Sequence, residues 1–396
     1  KGEYKTDEGT LKHVKSLYTG SNVAKLCDLV LEHREAAKIL STYIVGIEDY
    51  IQYDGKVHAD FWLFPDDNSK GGTVTGRLSS SNPNLQNLPK KPVKIRGYEV
   101  NPRGYFIASE GYRLVFQDAQ QQEYRVMAHY ANDSNFMNMI HDGWDVHRGT
   151  ASLVFKVPYD DVTDEQRSRA KTINFALIYG LSNISLAKSL GHDIDEAKVR
   201  QGTSYLYKKF KAWELPPYTI GKVSPERMKA GVTDPEILEG IDYFLTPLVQ
   251  DSLADAIDVK KRYFNQFPDI KKFIRQCSDV ARKRGFIIMW GGRIRHFKNP
   301  SEEAYKAPNS LIQGSCAMIM KKKLAEVHRH MKGAKSGLVI SVHDEIITEV
   351  HESELDFVDE NNAILSDLPF RVPIGWDNEW GYDWGHKQEW KAEEAM

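Results

Sequence analysis

Three short stretches, far apart in the chain, carry residue types that could together perform phosphoryl transfer. They are Gln117-Asp118-Ala119-Gln120-Gln121-Gln122-Glu123-Tyr124-Arg125, Arg167 to Lys171 running on to Tyr179-Gly180, and Val342-His343-Asp344-Glu345. The first and last each place an acid at the end of a β-like apolar run. The middle one reads as a helix with cations at its start and aromatic rings at its end. Two carboxylates can hold two divalent metals and a cationic helix can hold a polyphosphate, a combination that suits nucleotide addition.

Asp118 follows a strand that reads as buried, and Asp344 sits at the tip of a predicted hairpin. Aspartates converging from strand ends repel unless cations lie between them. Magnesium suits such a pair because it takes oxygen ligands, few carboxylates and substrate phosphates. The plain alternative is that each Asp is a turn residue. Arg167, Lys171, Phe175 and Tyr179 recur every fourth residue. Each step advances ~40° around a helix and ~6 Å along it, so the four form one slowly turning stripe ~18 Å long, enough for a triphosphate, sugar and base. The helix dipole adds to the cationic end. The bland alternative is an amphipathic helix with a solvated basic edge and buried rings.

These stretches need elements to position them. A helical pattern runs from about Leu11 to Tyr50, with Leu26, Leu29, Val30, His33, Ala37, Leu40 and Ile44 at helix spacing. Thr75 to Pro89, rich in Ser, Asn and Pro, reads as an ordered loop. Tyr112–Gln117 is a predicted strand followed by a helix through Tyr130, and about Asp164 to Tyr179 is a helix ending at Gly180. Prolines at 216, 217, 225, 235 and 247 mark roughly residues 200–258 as an inserted module. Helical pattern resumes through about Lys283, Gly285–Arg293 reads as a strand closed by a Gly-Gly turn, and a helix covers about Pro308 to Met331. Gly337–Val342 and Ile346–Val350 flank the third stretch as a hairpin. Trp376, Trp380, Trp384 and Trp390 are expected to pack a terminal strand, the alternative being base stacking. His58, His192 and His386 are expected at the surface.

The chain has 396 residues, 41% hydrophobic and 27% charged, as expected of a globular protein with two or three domains. A net charge of −2 excludes any argument for nucleic-acid binding from overall balance; such a surface must be local. Cys27, Cys277 and Cys316 lack CxxC spacing, which argues against zinc and a disulfide framework and for a reducing, intracellular setting. No apolar run approaches a membrane span of ~18 residues. The start at Lys1 is expected of a fragment or processed product.

Taken in order, the motifs resemble those of the family A DNA polymerases, the group of bacterial DNA polymerase I and its phage and organellar relatives. Asp118–Arg125 resembles motif A, Arg167–Gly180 motif B, Val342–Glu345 motif C, and Thr75–Pro89 the template–primer-binding segment; order and spacing agree from about residue 30 onward. The resemblance implies an α+β right-hand fold with an antiparallel palm sheet, helical fingers and a partial helical thumb. It divides the chain into a partial thumb (1–50), a first palm segment (51–130), fingers (131–300) with the insertion about 200–258, and a second palm segment (301–396).

By position, the resemblance implies that Asp118, Asp344 and the Ala119 carbonyl hold two magnesium ions, with manganese able to substitute, and that Glu345 assists nearby. His147, Arg167 and Lys171 would contact the triphosphate, Lys171 also serving catalysis. Gln121, Phe175 and Tyr179 would line the nucleotide site, and Glu123 would stand as a steric gate against a ribose hydroxyl and bond Tyr179. Arg77, Asn84, Asn87, Arg125, Asn309, Gln313 and His343 would follow the duplex and primer end, where minor-groove acceptors common to all correct pairs allow shape to be tested. Lys38 would touch the duplex backbone. Asn84 and Asn87 can equally be turn formers, and Asn309 and Gln313 plain polar helix positions.

Two departures stand out: Gln120, Gln121 and Gln122 replace the usual Ser, Gln and Ile of motif A, and Ser341 replaces Gln before motif C. The implied activity is extension of a primer on a DNA template from deoxynucleoside triphosphates, by a monomer without a membrane partner. No exonuclease is expected, because thumb and palm sequence fills the roughly 117 residues ahead of Asp118. A related transferase using ribonucleotides or an RNA template, and a non-catalytic duplex-binding relative, are the alternatives.

Overall fold

Tyr112-Arg113-Leu114-Val115-Phe116-Gln117 is built from aromatic, branched and long side chains that suit a pleated, half-buried surface. It begins the central strand, β1 (Tyr112–Ala119), of a five-stranded antiparallel sheet. The others are β2 (Gly337–Val342), β3 (Glu345–His351), β4 (Trp376–Gly381) and β5 (Gln388–Glu389), in the spatial order β5-β4-β1-β3-β2. The computed structural model describes residues 6–64, 72–95, 97–178, 183–192 and 254–391. The chain divides into two units: residues 1–120, 317–368 and 375–396, and residues 121–316 and 369–374.

In the first unit, alternate residues of β1 serve opposite faces. Leu114 and Phe116 join Ile340, Val342 and Ile347 of the hairpin, Leu85, Leu88 and Trp384 in one apolar cluster. On the other face Gln117 is fully buried, donating to the Asn378 side chain (2.9 Å) and the Val358 carbonyl (3.2 Å). The four late tryptophans are all buried, so they pack as expected. The single helical pattern expected over 11–50 is instead two helices, Glu8–Leu17 and Asn22–Lys38, the second continuing through a π-helical stretch to Glu48. Gly20 at φ 79° breaks the run, and the Ser21 hydroxyl caps the second helix by accepting from Ala24 N. Leu26, Leu29 and Leu40 have helix spacing, yet they are exposed; Ala24, Cys27, Ile39, Tyr43 and Ile47 turn inward.

Thr75–Pro89 is ordered, as its composition suggested. Ser80 Oγ donates to the Pro83 carbonyl (3.1 Å) and accepts from Leu85 N (3.3 Å), while Gln86 Nε2 ties the loop to the Ser341 carbonyl (3.0 Å).

The second unit is mainly helical: Gln122–Ala131, Ser134–His141, Val146–Phe155, Asp164–Ile178, Asn183–Ser189, Ala254–Gln266 and Pro268–Arg284, then a hairpin of Phe286–Ile288 with Ile294–His296. The Gly-Gly turn expected after residue 285 closes that hairpin, with Gly291 and Gly292 at φ 80° and 85°. The helix Ala307–His330 begins in this unit. The helix end assigned to Gly180 and most of the 200–258 segment lie outside the described residues.

Asp133, only 1% exposed, starts two helices at once. One oxygen accepts from Phe136 N (3.1 Å), the other from Asp269 N (2.9 Å). Losing one helix cap costs about 1 kcal/mol. Asp133→Ala is therefore expected to lower the unfolding free energy by about 2 kcal/mol, measured by urea denaturation; an unchanged midpoint would contradict the double cap.

Candidate active site

Val342 pairs with Glu345, so the β2–β3 hairpin turns through His343 and Asp344 alone. Two-residue hairpin turns need a positive φ, and His343 supplies it at 58°. A non-glycine residue there costs on the order of 1 kcal/mol and persists where the surroundings impose it. Ala119 N donates to the Asp344 carbonyl (3.1 Å), holding the turn against the end of β1.

Register then decides which acids meet. Asp118 lies directly opposite Glu345 on β3 and Asp377 on β4. Opposed residues of an antiparallel pair share a face, with Cβ atoms roughly 5 Å apart. Two of these three carboxylates are engaged: Lys387 ion-pairs Glu345, and the Gln120 amide donates to Asp377. Asp118 keeps Oδ1 buried with no hydrogen-bond partner among the described residues. Its carboxyl is pushed up to about 7, first by burial and then by the negative charges of Asp344 and Glu345. A divalent cation would reverse that penalty. No group of three or more His, Cys, Asp and Glu is arranged to hold a metal among the described residues. The chain thus offers an orphaned buried carboxylate with a second aspartate beside it, a donor set that fits magnesium better than a closed protein cage does.

The expected duplex residues of this unit lie on the loop and turn just described. Asn84 and Asn87 are exposed, Arg77 is half-buried, and the charges of Arg77 and Asp344 both act on His343. Lys38 is exposed, its Nζ 6.0 Å from the Tyr43 ring centroid.

In the second unit, Asp145 is the organising residue. Its carboxylate caps Val146–Phe155 through Arg148 N (2.7 Å), pairs with Arg167 (2.7 Å) and accepts from Gln121 Nε2 (3.1 Å). The arginine holds the Asp145 carboxyl below the usual range against the opposing effect of burial. His147 is 4% exposed. Burial is the main cause that lowers its pKa to about 4, and the charges of Lys171 and Arg167 push the same way. It is therefore neutral near pH 7. Asn174 donates to Thr150 Oγ1 (2.8 Å) and lies 3.5 Å from His147 Nδ1, fixing the imidazole against the helix Asp164–Ile178. Phe175 packs on Tyr124 and His147, with centroids 5.1 and 6.4 Å apart.

The structure thus gathers His147, Arg167, Lys171, Phe175 and Gln121 around one helix. Lys171 is exposed, Glu123 is half-buried on the first turn of Gln122–Ala131, and Tyr179 lies outside the described residues. Arg125 donates to the Pro373 carbonyl. Asn309 and Gln313 are half-buried one turn apart on the helix Ala307–His330, Asn309 with its Oδ1 unpaired among the described residues. Gln122 is 4% exposed with its Nε2 unpaired among the described residues, so this departure from motif A faces inward.

Residues 1–213 and 241–386 match the model of DNA polymerase family A. The chain belongs to that family. It is 30% identical over 373 residues to a DNA polymerase I of Chloroflexus aurantiacus, covering 90% of this chain and 32% of the relative. It is 29% identical over 369 residues to that of Caldicellulosiruptor bescii, covering 88% and 35%. Among solved structures it resembles the POL domain of Pol1 from M. smegmatis in complex with DNA primer-template and dNTP, with a TM-score of 0.70 at 27% identity, covering 96% of this chain and 56% of that one. The chain spans about a third of the length of the curated relatives it matches. The family match skips 214–240, inside the segment expected as an insertion.

Sequence reasoning for this family A chain missed Asp145, Asn174, Asp377 and Lys387. Asp145 had a signal, an Asp directly before a helix start. The others act through partners distant in sequence, which spacing does not reveal.

Proposed function

We propose that this chain extends a DNA primer on a DNA template from deoxynucleoside triphosphates, releasing pyrophosphate. The observation that supports it most is the register placing Asp118 beside the Asp344 turn, with one carboxylate oxygen buried and unpaired among the described residues. In this reading Asp118, Asp344 and the Ala119 carbonyl hold two magnesium ions, which when bound would supply Lewis-acid activation and charge neutralisation. Arg167 and Lys171 neutralise the triphosphate, while His147, neutral at pH 7, can offer a hydrogen bond without adding charge. Asp145, which also accepts from Gln121, holds Arg167 in place until phosphate oxygens compete for it. Phe175 and Glu123 border the sugar, Glu123 excluding a ribose hydroxyl; Arg77, Asn84, Asn87, Arg125, Asn309, Gln313 and His343 follow the duplex, with Lys38 at its backbone. Residues 1–50 act as thumb, the sheet with its flanking segments as palm, and 131–300 as fingers.

The test is labelled-primer extension on DNA and RNA templates with either nucleotide set. Extension on DNA with deoxynucleotides, at least about 100-fold preferred over ribonucleotides if Glu123 is a hydrogen-bonding and steric gate, supports the reading. Tight duplex binding without extension would replace it by a binding role, and primer shortening would overturn the expectation of no exonuclease.

A further inference from the structure

Lys387 belongs to none of the motifs, yet its side chain is only 14% exposed and lies beside the acidic end of the sheet. Its Nζ pairs with Glu345 Oε1, stands 3.4 Å from Glu379 Oε2 and sits 4.0 Å above the Phe116 ring centroid. Phe116 and Asp118, two apart on β1, share a face. Glu345, 8% exposed at its side chain, is the direct cross-strand neighbour of Asp118 and the chain neighbour of Asp344. Without a partner, it would be a buried third negative charge next to the aspartate pair. A buried carboxylate in that position either finds a cation or turns to whatever positive charge is available. The ring beneath Lys387 favours the ammonium by cation–π attraction and fixes its approach.

We propose that Lys387 is a positioning residue that withholds Glu345 from the metal site, leaving Asp118 and Asp344 as the acidic pair and thereby setting the site's divalent-cation affinity. This rests on the reading of those aspartates as metal-holding. Replacing Lys387 releases Glu345 and removes a positive charge, and both changes tighten cation binding. Replacing Glu345 alone leaves Lys387 beside the site with only the more exposed Glu379 to balance it, which weakens cation binding. Removing both returns the site to its original charge balance.

The experiment is Mn2+ binding to the 396-residue chain without DNA or nucleotide, followed by electron paramagnetic resonance, with melting curves for each variant. Lys387→Met is expected to tighten Mn2+ binding about tenfold and Glu345→Gln to weaken it about tenfold, the scale of outer-shell effects on metal sites. The double variant, in which the two opposite charges are removed together, is expected to fall within about threefold of the original. Lys387→Arg, which keeps the ion pair, is expected to match the original. Folded Lys387→Met with Mn2+ affinity unchanged would overturn the positioning role while leaving the metal site standing. If Lys387→Met does not fold, an unchanged Glu345→Gln affinity would overturn it equally. Mn2+ binding that survives Asp118→Ala would remove the metal site and this role together.

Discussion

Asp344→Ala is expected to reduce templated primer extension by about 10³-fold or more, because in the proposed reading its carboxylate holds metal and acts on charge developing in the transition state. The residue is exposed on a two-residue turn, so truncation removes the carboxylate without opening the core. Its backbone carbonyl, which receives Ala119 N, is untouched. Duplex binding and the melting curve should therefore persist while extension disappears. Asp118→Asn should show the same loss from the other side of the pair. It keeps the side chain's shape in a half-buried position and forfeits only the charge. Substantial extension by either variant, under magnesium or manganese, would contradict the assignment of these two aspartates.

Acid should weaken the fold through His147. Its pKa is about 4 in the folded chain against 6.5 for an unperturbed histidine. The folded state thus binds fewer protons at this site than the unfolded state. By linkage, the contribution is fully present above pH 6.5 and is lost as pH falls through the folded value. At 1.36 kcal/mol for each pKa unit, the loss is about 3 kcal/mol by pH 4. The cause is chiefly burial, deepened by Arg167 and Lys171 and opposed by Asp145. His147→Asn should lack this portion of the acid sensitivity while keeping a polar side chain beside Asn174. Urea denaturation from pH 7 to pH 4 checks the point: equal slopes for the variant and the original would show that His147 titrates as an ordinary surface histidine.

The sheet and its acids were legible because a strand's period of two and a hairpin's short turn are local signals. Asp118 and Asp344 are read from the residues on either side of them. The burial face of Asn22–Lys38 and its π-helical continuation was not legible. Leu26, Leu29 and Leu40 satisfy helix periodicity, but only tertiary packing decides which stripe turns inward, and it chose Ala24, Cys27 and Ile39. The same limit explains Lys387, whose carboxylate partner lies 42 residues away in sequence. It explains Asp145 in part: the helix cap three residues on is a local signal, but the bond to Arg167 across 22 residues is not. The Gln120–Gln122 departure was legible as a departure, and its consequences were not. Three successive glutamines diverge completely: one bonds Asp377, one bonds Asp145 and one is buried with its Nε2 unpaired among the described residues.

The double role of Asp133 bears on how this chain tolerates added sequence. Besides its bond to Asp269 N, Asn135 Nδ2 donates to the Gln266 carbonyl (2.8 Å) and the Phe136 and Phe267 rings meet edge to face at 5.2 Å. Residues 133–136 and 266–269 are thus laced together, closing the span between them at its base, while Asp145 and Phe175 within it also reach Gln121 and Tyr124. Residues 214–240, which the family match passes over, fall within that span. Closing a longer loop costs only in proportion to the logarithm of its length, so an insertion of that size adds roughly a few tenths of a kcal/mol. Length added within the span therefore leaves the closure at its base intact, so long as the acid at 133 stays in place.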